Sequence, residues 1–300
     1  MILCIGEILA DMIGKSENGA ITYERKAGGA PFNVACALKK FGADVKFIGN
    51  VGDDLIGDFL LKFAKDFGMD TTYIGKDKER NTTLAFVELS EEGERSFCFY
   101  RKNTADYFLP EVSDKLIKKA DIVCIGSLMM ATDSCVEYAL DVIERARKLN
   151  KLVAFDVNYR TDIFRDTDSA VKTYKKILEK ADIVKFSEDE VLIFTEEYIK
   201  NSLNDKLVLI TLGKEGSEWR YKGKKNSQGS IKVKVVDTTG AGDAFFAGAL
   251  SVLDKLNGEF TFENLDRAIK FGNISGALNT TGRGAIDNLP TLETINQYIK

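Results

Sequence analysis

The chain has 300 residues, 44% of them hydrophobic and 29% charged, and a net charge of −4. That composition supplies a sizeable core, and the acidic balance argues against a nucleic-acid or anionic-membrane surface. Histidine is absent, which removes Ser-His-Asp triads, Cys-His pairs and histidine metal sites together, so proton transfer near neutral pH falls to a carboxylate, Lys, Tyr or Cys.

In chain order, an apolar strand is expected over 2–6, with no charged leader before it and hence no export signal. Residues 8–25 read as a strand, a turn at Asn18-Gly19, and a second strand from Ala20 to Tyr23. A helical stretch over 32–41, a strand over 45–51 and a helix over 55–67 follow, the last stopped by Gly68. Residues 82–101 read as strands 84–89 and 96–101 joined by a polar tip, Ser90 to Glu94. Strands at 121–126, 152–156, 182–186, 207–212 and 218–221 then share the chain with helices at 133–148 and 168–179. From Ala241 the pattern is helical: Asp243 to Asp254, Phe262 to Asn279 and, after Pro290, Thr291 to Ile299.

Strands alternating with amphipathic helices predict an α/β fold with a mainly parallel sheet covered on both faces. The two strand pairs instead alternate apolar and polar residues, as a half-exposed sheet does. They predict a small lid, formed by about 8–25 and 82–106, on a single domain spanning 1–300. The five cysteines, at 4, 36, 98, 124 and 135, are odd in number and irregularly spaced; they read as buried, reduced core residues in a cytoplasmic protein. No apolar run approaches the roughly 18 residues that would span a bilayer.

The most informative segment is Val235-Val236-Asp237-Thr238-Thr239-Gly240-Ala241-Gly242-Asp243. A strand is expected to end at Val236, a glycine loop to follow, and a helix to begin near Ala241. Unpaired amides at a helix start favour an anion. Asp243 at the same place either caps its helix or accepts a proton while the loop amides hold a phosphoryl group. The whole string resembles the signature of the ribokinase-like, PfkB-type carbohydrate kinases. Gly28-Gly29-Ala30-Pro31-Phe32-Asn33 and Gly49-Asn50-Val51-Gly52-Asp53-Asp54 resemble the same family's N-terminal signature, and the likeness runs from Gly6 to Ala285.

The resemblance implies a three-layer αβα ribokinase-like fold with a β-sheet lid, and ATP and magnesium as cofactors. It makes Asp243 the base, with Gly240, Ala241 and Gly242 supplying amides to the transferred phosphoryl group. Asp11, Gly28, Gly29, Asn33, Arg101 and Arg160 fall on the sugar, as does Asp243 itself. Asn158, Lys185, Thr211, Gly213, Gly216 and Asn273 fall on the nucleotide, with Gly240 and Gly242. Glu190 is assigned to the nucleotide's magnesium through water, and Asp156 reads as structural. Ser187 stands where the family commonly has Asn, a variant familiar among fructokinase-like members. Asp237, Thr239, Thr280 and Ala285 resemble a potassium loop. Asp53 and Asp54 organise their own loop. Fructose is the implied acceptor, with 2-keto-3-deoxygluconate as the alternative and ribose and nucleosides after it. A non-catalytic sugar sensor on the same fold would lack Asp243, and a dinucleotide oxidoreductase would need Gly-x-Gly-x-x-Gly after the first strand, where Gly6-Glu7-Ile8 stands. Exposed lid strands imply a homodimer paired through the lids.

Overall fold

The computed structural model describes residues 1–17, 20–89, 95–164, 166–256 and 259–299. Its strands are β1 (Ile2–Ile5), β2 (Leu9–Glu17), β3 (Ala20–Gly28), β4 (Val45–Gly52), β5 (Ile74–Asp77), β6 (Leu84–Leu89), β7 (Arg95–Tyr100), β8 (Ile122–Ile125), β9 (Leu152–Asp156), β10 (Ile183–Ser187), β11 (Leu207–Thr211), β12 (Ser217–Tyr221) and β13 (Lys224–Gln228). Nine form one sheet in the order β13-β12-β11-β10-β9-β8-β1-β4-β5, and four form a second in the order β3-β2-β6-β7.

The large sheet is parallel from β11 to β5, with β12 and β13 added antiparallel at one edge. Its central strands are short apolar runs buried on both faces, as a parallel sheet requires. Successive residues of β1 divide between the faces: Ile2 and Cys4 pack into one helical layer, Leu3 and Ile5 into the other. The first layer contains helices Ala30–Lys40, Leu55–Asp66, Ala241–Lys255, Phe262–Asn279 and Leu292–Asn296. The second contains Asp114–Lys119, Asp133–Lys148, Thr167–Leu178, Glu188–Phe194 and Glu196–Ser202. β1 lies between β4, which follows it, and β8, from which the order runs the other way. The crevice outside the carboxyl ends of strands at such a switch point is where open α/β sheets bind ligands.

The small sheet is the expected lid, made of two antiparallel hairpins from separate chain segments. They join through a parallel pairing of Ala10–Ile13 with Leu84–Val87. The expected turn at Asn18-Gly19 and the tip Ser90 to Glu94 lie outside the described residues.

Some expectations need correction. Val235 and Val236 form no strand; they are exposed, and the backbone amides of Val236 and Asp237 donate to the Thr280 carbonyl. Apolar type alone suggested a strand where, among the described residues, no sheet neighbour exists. β5 and β13 were not expected: β5 has four residues with only Ile74 buried, and β13, Lys-Lys-Asn-Ser-Gln, is a polar edge. Four cysteines are buried, but Cys98 is exposed on the lid, and all five are free thiols. Among the described residues no helix is long and apolar enough to cross a membrane.

Asp54 shows how the loops are set. Its carboxylate caps helix Leu55–Asp66 by accepting from the Ile56 and Gly57 amides at 3.0 and 2.7 Å, and it also accepts from the Thr82 amide and hydroxyl at 2.7 and 2.9 Å. One side chain thus starts a helix and anchors the chain entering the lid. Burial alone would raise its pKa, but the Thr82 and Gly57 amides outweigh that and lower it. Asp54→Ala should lower unfolding free energy by about 2 kcal/mol, the upper end for a lost cap, in urea denaturation at neutral pH. Because the folded carboxyl is the stronger acid, the wild-type advantage should disappear as pH falls through that lowered pKa.

Candidate active site

The chain turns sharply as it leaves the loop before helix Ala241–Lys255. Gly240 has φ +74°, and a Cβ there would lie 2.7 Å from the Ala285 Cα, so only glycine fits this left-handed, closely packed corner. The corner is fixed by Asp237: one carboxylate oxygen accepts from the Thr239 amide and hydroxyl at 2.8 and 2.7 Å, and the other from the Gly284 amide at 2.9 Å. The Ala241 amide donates to the Thr238 carbonyl at 3.2 Å. The following first-turn amides, of Gly242 and Asp243, have no acceptor within an α-helix and stand at its positive end.

Asp243 sits in that first turn and faces helix Ala30–Lys40, which begins beneath the lid. Asn33 Nδ2 donates to Asp243 Oδ2 at 2.8 Å across 210 positions of sequence. Burial raises the Asp243 pKa, opposed by the Asn33 hydrogen bond and by the charges of Lys185 and Arg160. The result is a carboxyl group with its basicity increased and one oxygen already oriented, as a proton acceptor requires.

These groups line a cavity of about 420 Å³. Its walls bring together Asp11, Gly29, Asn33, Asn158, Arg160, Lys185, Glu190, Thr211, Thr239, Gly240, Gly242 and Asp243 from the expected set. Gly28 lies behind Asp11: a Cβ on it would stand 2.2 Å from Asp11 Oδ2, so the carboxylate occupies the space that glycine leaves. Asn158 adopts φ +35°, an uncommon conformation for a side-chain-bearing residue, at the mouth beyond β9. Lys185 makes a buried pair with both oxygens of Asp156 at 2.8 and 2.9 Å, so the Asp156 carboxylate is engaged by a buried cation. Burial disfavours the Lys185 charge, but the carboxylates of Asp156, Glu190 and Asp243 outweigh it and raise its pKa. It stays a cation, 3.3 Å from where a Cβ on Gly242 would be.

Other expected residues stand elsewhere. Arg101 is buried and donates to Asp106 Oδ2 at 2.6 Å and to the Leu128 carbonyl at 2.8 Å. It lines a neighbouring cavity of about 720 Å³ beside the lid. Asn273 donates to the Gln228 carbonyl at 2.9 Å, pinning the end of β13. Gly213 and Gly216, both with positive φ, shape the turn after β11. Ala241 lies behind the cavity wall in the Thr238 turn. Thr280 and Ala285 back the Gly240 corner with Asp237, and the Thr239 carbonyl accepts from Asn279 Nδ2 at 3.1 Å. Glu190 is a capping residue as well as a wall: its oxygens accept from the Tyr159 and Ser187 amides, each at 2.7 Å. Among the described residues no group of three or more Cys, Asp or Glu could hold a metal ion by itself. Leu9, Ala30, Phe99, Leu128, Ser187 and Thr238 complete the wall; Leu9 and Leu128 were not anticipated, because an apolar residue carries no chemistry that sequence can single out.

A polyol-sized cavity with an oriented carboxyl beside free helix-start amides is a phosphoryl-transfer arrangement. Comparison with known proteins agrees: residues 1–292 match the profile of the pfkB family carbohydrate kinases. The chain belongs to this family. It is 37% identical to a probable chloroplastic fructokinase-6 of Arabidopsis thaliana over 99% of this chain and 82% of the relative. Among solved structures, it resembles an ATP-bound fructokinase from Xylella fastidiosa (29% identity, 99% and 97% coverage, TM-score 0.91) and a Vibrio cholerae O395 fructokinase in fructose-, ADP- and calcium-bound form (29%, 100% and 98%, TM-score 0.90). The fold of this PfkB-family kinase is therefore the ribokinase-like αβα fold with a small-sheet lid.

Gly28→Ala in this kinase should displace the Asp11 carboxylate. Steady-state kinetics should give a sugar KM raised at least about tenfold, one charge-assisted hydrogen bond, with the ATP KM within about twofold.

Proposed function

We propose that this enzyme is an ATP-dependent fructokinase that transfers the γ-phosphoryl group to a primary hydroxyl of fructose, giving fructose 6-phosphate. The observation that carries the reading is the Asn33–Asp243 hydrogen bond at 2.8 Å beside the glycine loop, supported by the fructokinase relatives on both sides of the comparison. Asp11, Gly28, Gly29 and Asn33 hold the sugar hydroxyls, a carboxylate being a good acceptor from vicinal hydroxyls. Asn33 keeps one Asp243 oxygen turned to the cavity, and Asp243 takes the hydroxyl proton. The Gly242 amide and the Lys185 ammonium receive the negative charge of the phosphoryl group. Arg160, Asn158 and Thr211 flank the nucleotide phosphates, and Gly213, Gly216 and Asn273 shape the nucleotide's side of the cleft.

With Glu190 as the nearest acid, the donor set suits a magnesium ion held chiefly by phosphate oxygens and water. Such an ion would neutralise charge on the phosphates. Beside Thr239, Asn279 Oδ1 is buried without a donor, an unused oxygen that fits the potassium reading of the Asp237, Thr239, Thr280 and Ala285 loop. We read 1–300 as one domain whose lid closes over the sugar and excludes water. The exposed Ile21, Tyr23 and Tyr100 on the lid favour a homodimer through this face. Five free thiols suit the cytoplasm.

The second acceptor is 2-keto-3-deoxygluconate, whose carboxylate Arg160 would meet. An ADP-release assay with magnesium and ATP over fructose, 2-keto-3-deoxygluconate, ribose and adenosine should show the highest kcat/KM for fructose; preference for another acceptor overturns the substrate, and no turnover on any favours a sugar sensor. Asp243→Asn should lower kcat by about 10²–10⁴ with ATP affinity within about twofold by calorimetry. As burial raises the Asp243 pKa, wild-type kcat should fall on the acid side at a pH above that of an ordinary aspartate.

A further inference from the structure

β1 and β8 run side by side with Ile5 opposite Ile125, and beyond them the chain passes through Gly6-Glu7 and Gly126-Ser127. Glu7 is wholly buried, yet apart from the pull of its own backbone amide neither of its carboxyl oxygens has a hydrogen-bond partner among the described residues. A Cβ on Gly126 would be 2.8 Å from Glu7 Oε2, so the carboxyl lies against the start of the Gly126–Leu128 segment. Arg101 reaches the other end of that segment through its bond to the Leu128 carbonyl. Its Nη2 is also buried and unpartnered, as is Ser127 Oγ between them. Four orphaned polar atoms on three residues therefore gather around one three-residue turn. Buried polar groups without partners are ordinarily met by ordered water or an ion. The Arg101 guanidinium repels a cation, and an anion has no hydrogen to donate to a Glu7 oxygen, whereas water accepts from Arg101 and both donates to and accepts from Glu7 and Ser127.

We propose that Glu7 is a positioning residue, holding Arg101 at the base of the lid through ordered water bound between the ends of β1 and β8. Arg101 ties the lid's last strand to Leu128, a wall residue of the active cavity, so this hold sets how the lid sits over the sugar. That consequence rests on the kinase reading; the water site does not.

The protonation of Glu7 tunes the hold. Burial pushes its pKa up to about 8, opposed by the Arg101 charge and its own amide and reinforced by Asp106 and Asp243. The groups facing it are Arg101 and Asp106 from the lid base, Asp243 from helix Ala241–Lys255, and, behind the Ser127 carbonyl, the Tyr174 hydroxyl. Helix Ala30–Lys40 presents Pro31 to this turn. At neutral pH the carboxyl is a neutral donor to the water; ionisation forces the network to reorient.

A high-resolution crystal structure of the wild-type enzyme should show at least one ordered water bonded to Glu7 and to Ser127 Oγ or Arg101 Nη2. A dry contact or a bound ion there overturns the proposal. The wild-type sugar KM should rise about tenfold between roughly pH 7 and 9, centred on about 8, with kcat within about twofold. Glu7→Gln should keep the neutral-pH KM and lose that rise; a flat wild-type profile, or a variant that keeps the rise, refutes the role. The elevated folded-state pKa means that wild-type stability declines as pH climbs from the ordinary glutamate value to about 8, and Glu7→Gln should flatten that decline in thermal melts, a readout independent of turnover. If Glu7→Gln does not fold, Ser127→Ala should raise the sugar KM severalfold while leaving the wild-type inflection in place; an unchanged KM also counts against the proposal.

Discussion

The hydrogen bond from Asn33 to Asp243 joins the starts of two helices that lie far apart in the sequence and side by side in the fold. Each helix begins at a glycine corner, Gly29 at φ +107° and Gly240 at φ +74°. Both pack in the same layer against the large sheet. The geometry of the cleft follows from this meeting. If either corner opened, the carboxyl would lose its orientation and the amides beside it their aim. The buried Lys185–Asp156 pair supports the floor from the neighbouring strands β9 and β10. A buried pair of this kind contributes specificity of arrangement more readily than net stability.

Much of this was legible in the sequence, for identifiable reasons. Strands such as Ile2–Ile5 and Leu207–Thr211 are apolar throughout and bounded by turns, so residue type alone marks them. The glycine loop announces itself because few tasks place Gly-Ala-Gly-Asp at a helix start. What stayed hidden depended on partners. β13 is polar and exists because β12 offers a free edge. Val235-Val236 looks like a strand and is none, because no edge is there to receive it. Arg101 could be assigned to the sugar by likeness, but its burial against Asp106 and Leu128 depends on folding of the lid base. Glu7 gave no signal at all, since a glutamate after a strand is ordinarily solvated.

The hydroxyls of Thr83 and Thr104 donate to Asp106 Oδ1 at 2.5 and 2.7 Å while Arg101 holds Oδ2. The Arg101–Asp106 pair is thereby satisfied on its carboxylate side, whereas Arg101 Nη2 has no partner among the described residues.

The two hairpins of the lid are welded into one plate by the β2–β6 pairing, and that plate meets the body through four separate strands of chain, near residues 6–8, 28–29, 78–83 and 101–104. A flap on one tether can swing; a table on four legs can only tilt or shear. Any opening of this cleft must therefore bend all four legs together, which favours small, concerted displacements. It also means that a cut in one hairpin leaves the other still attached at both of its ends.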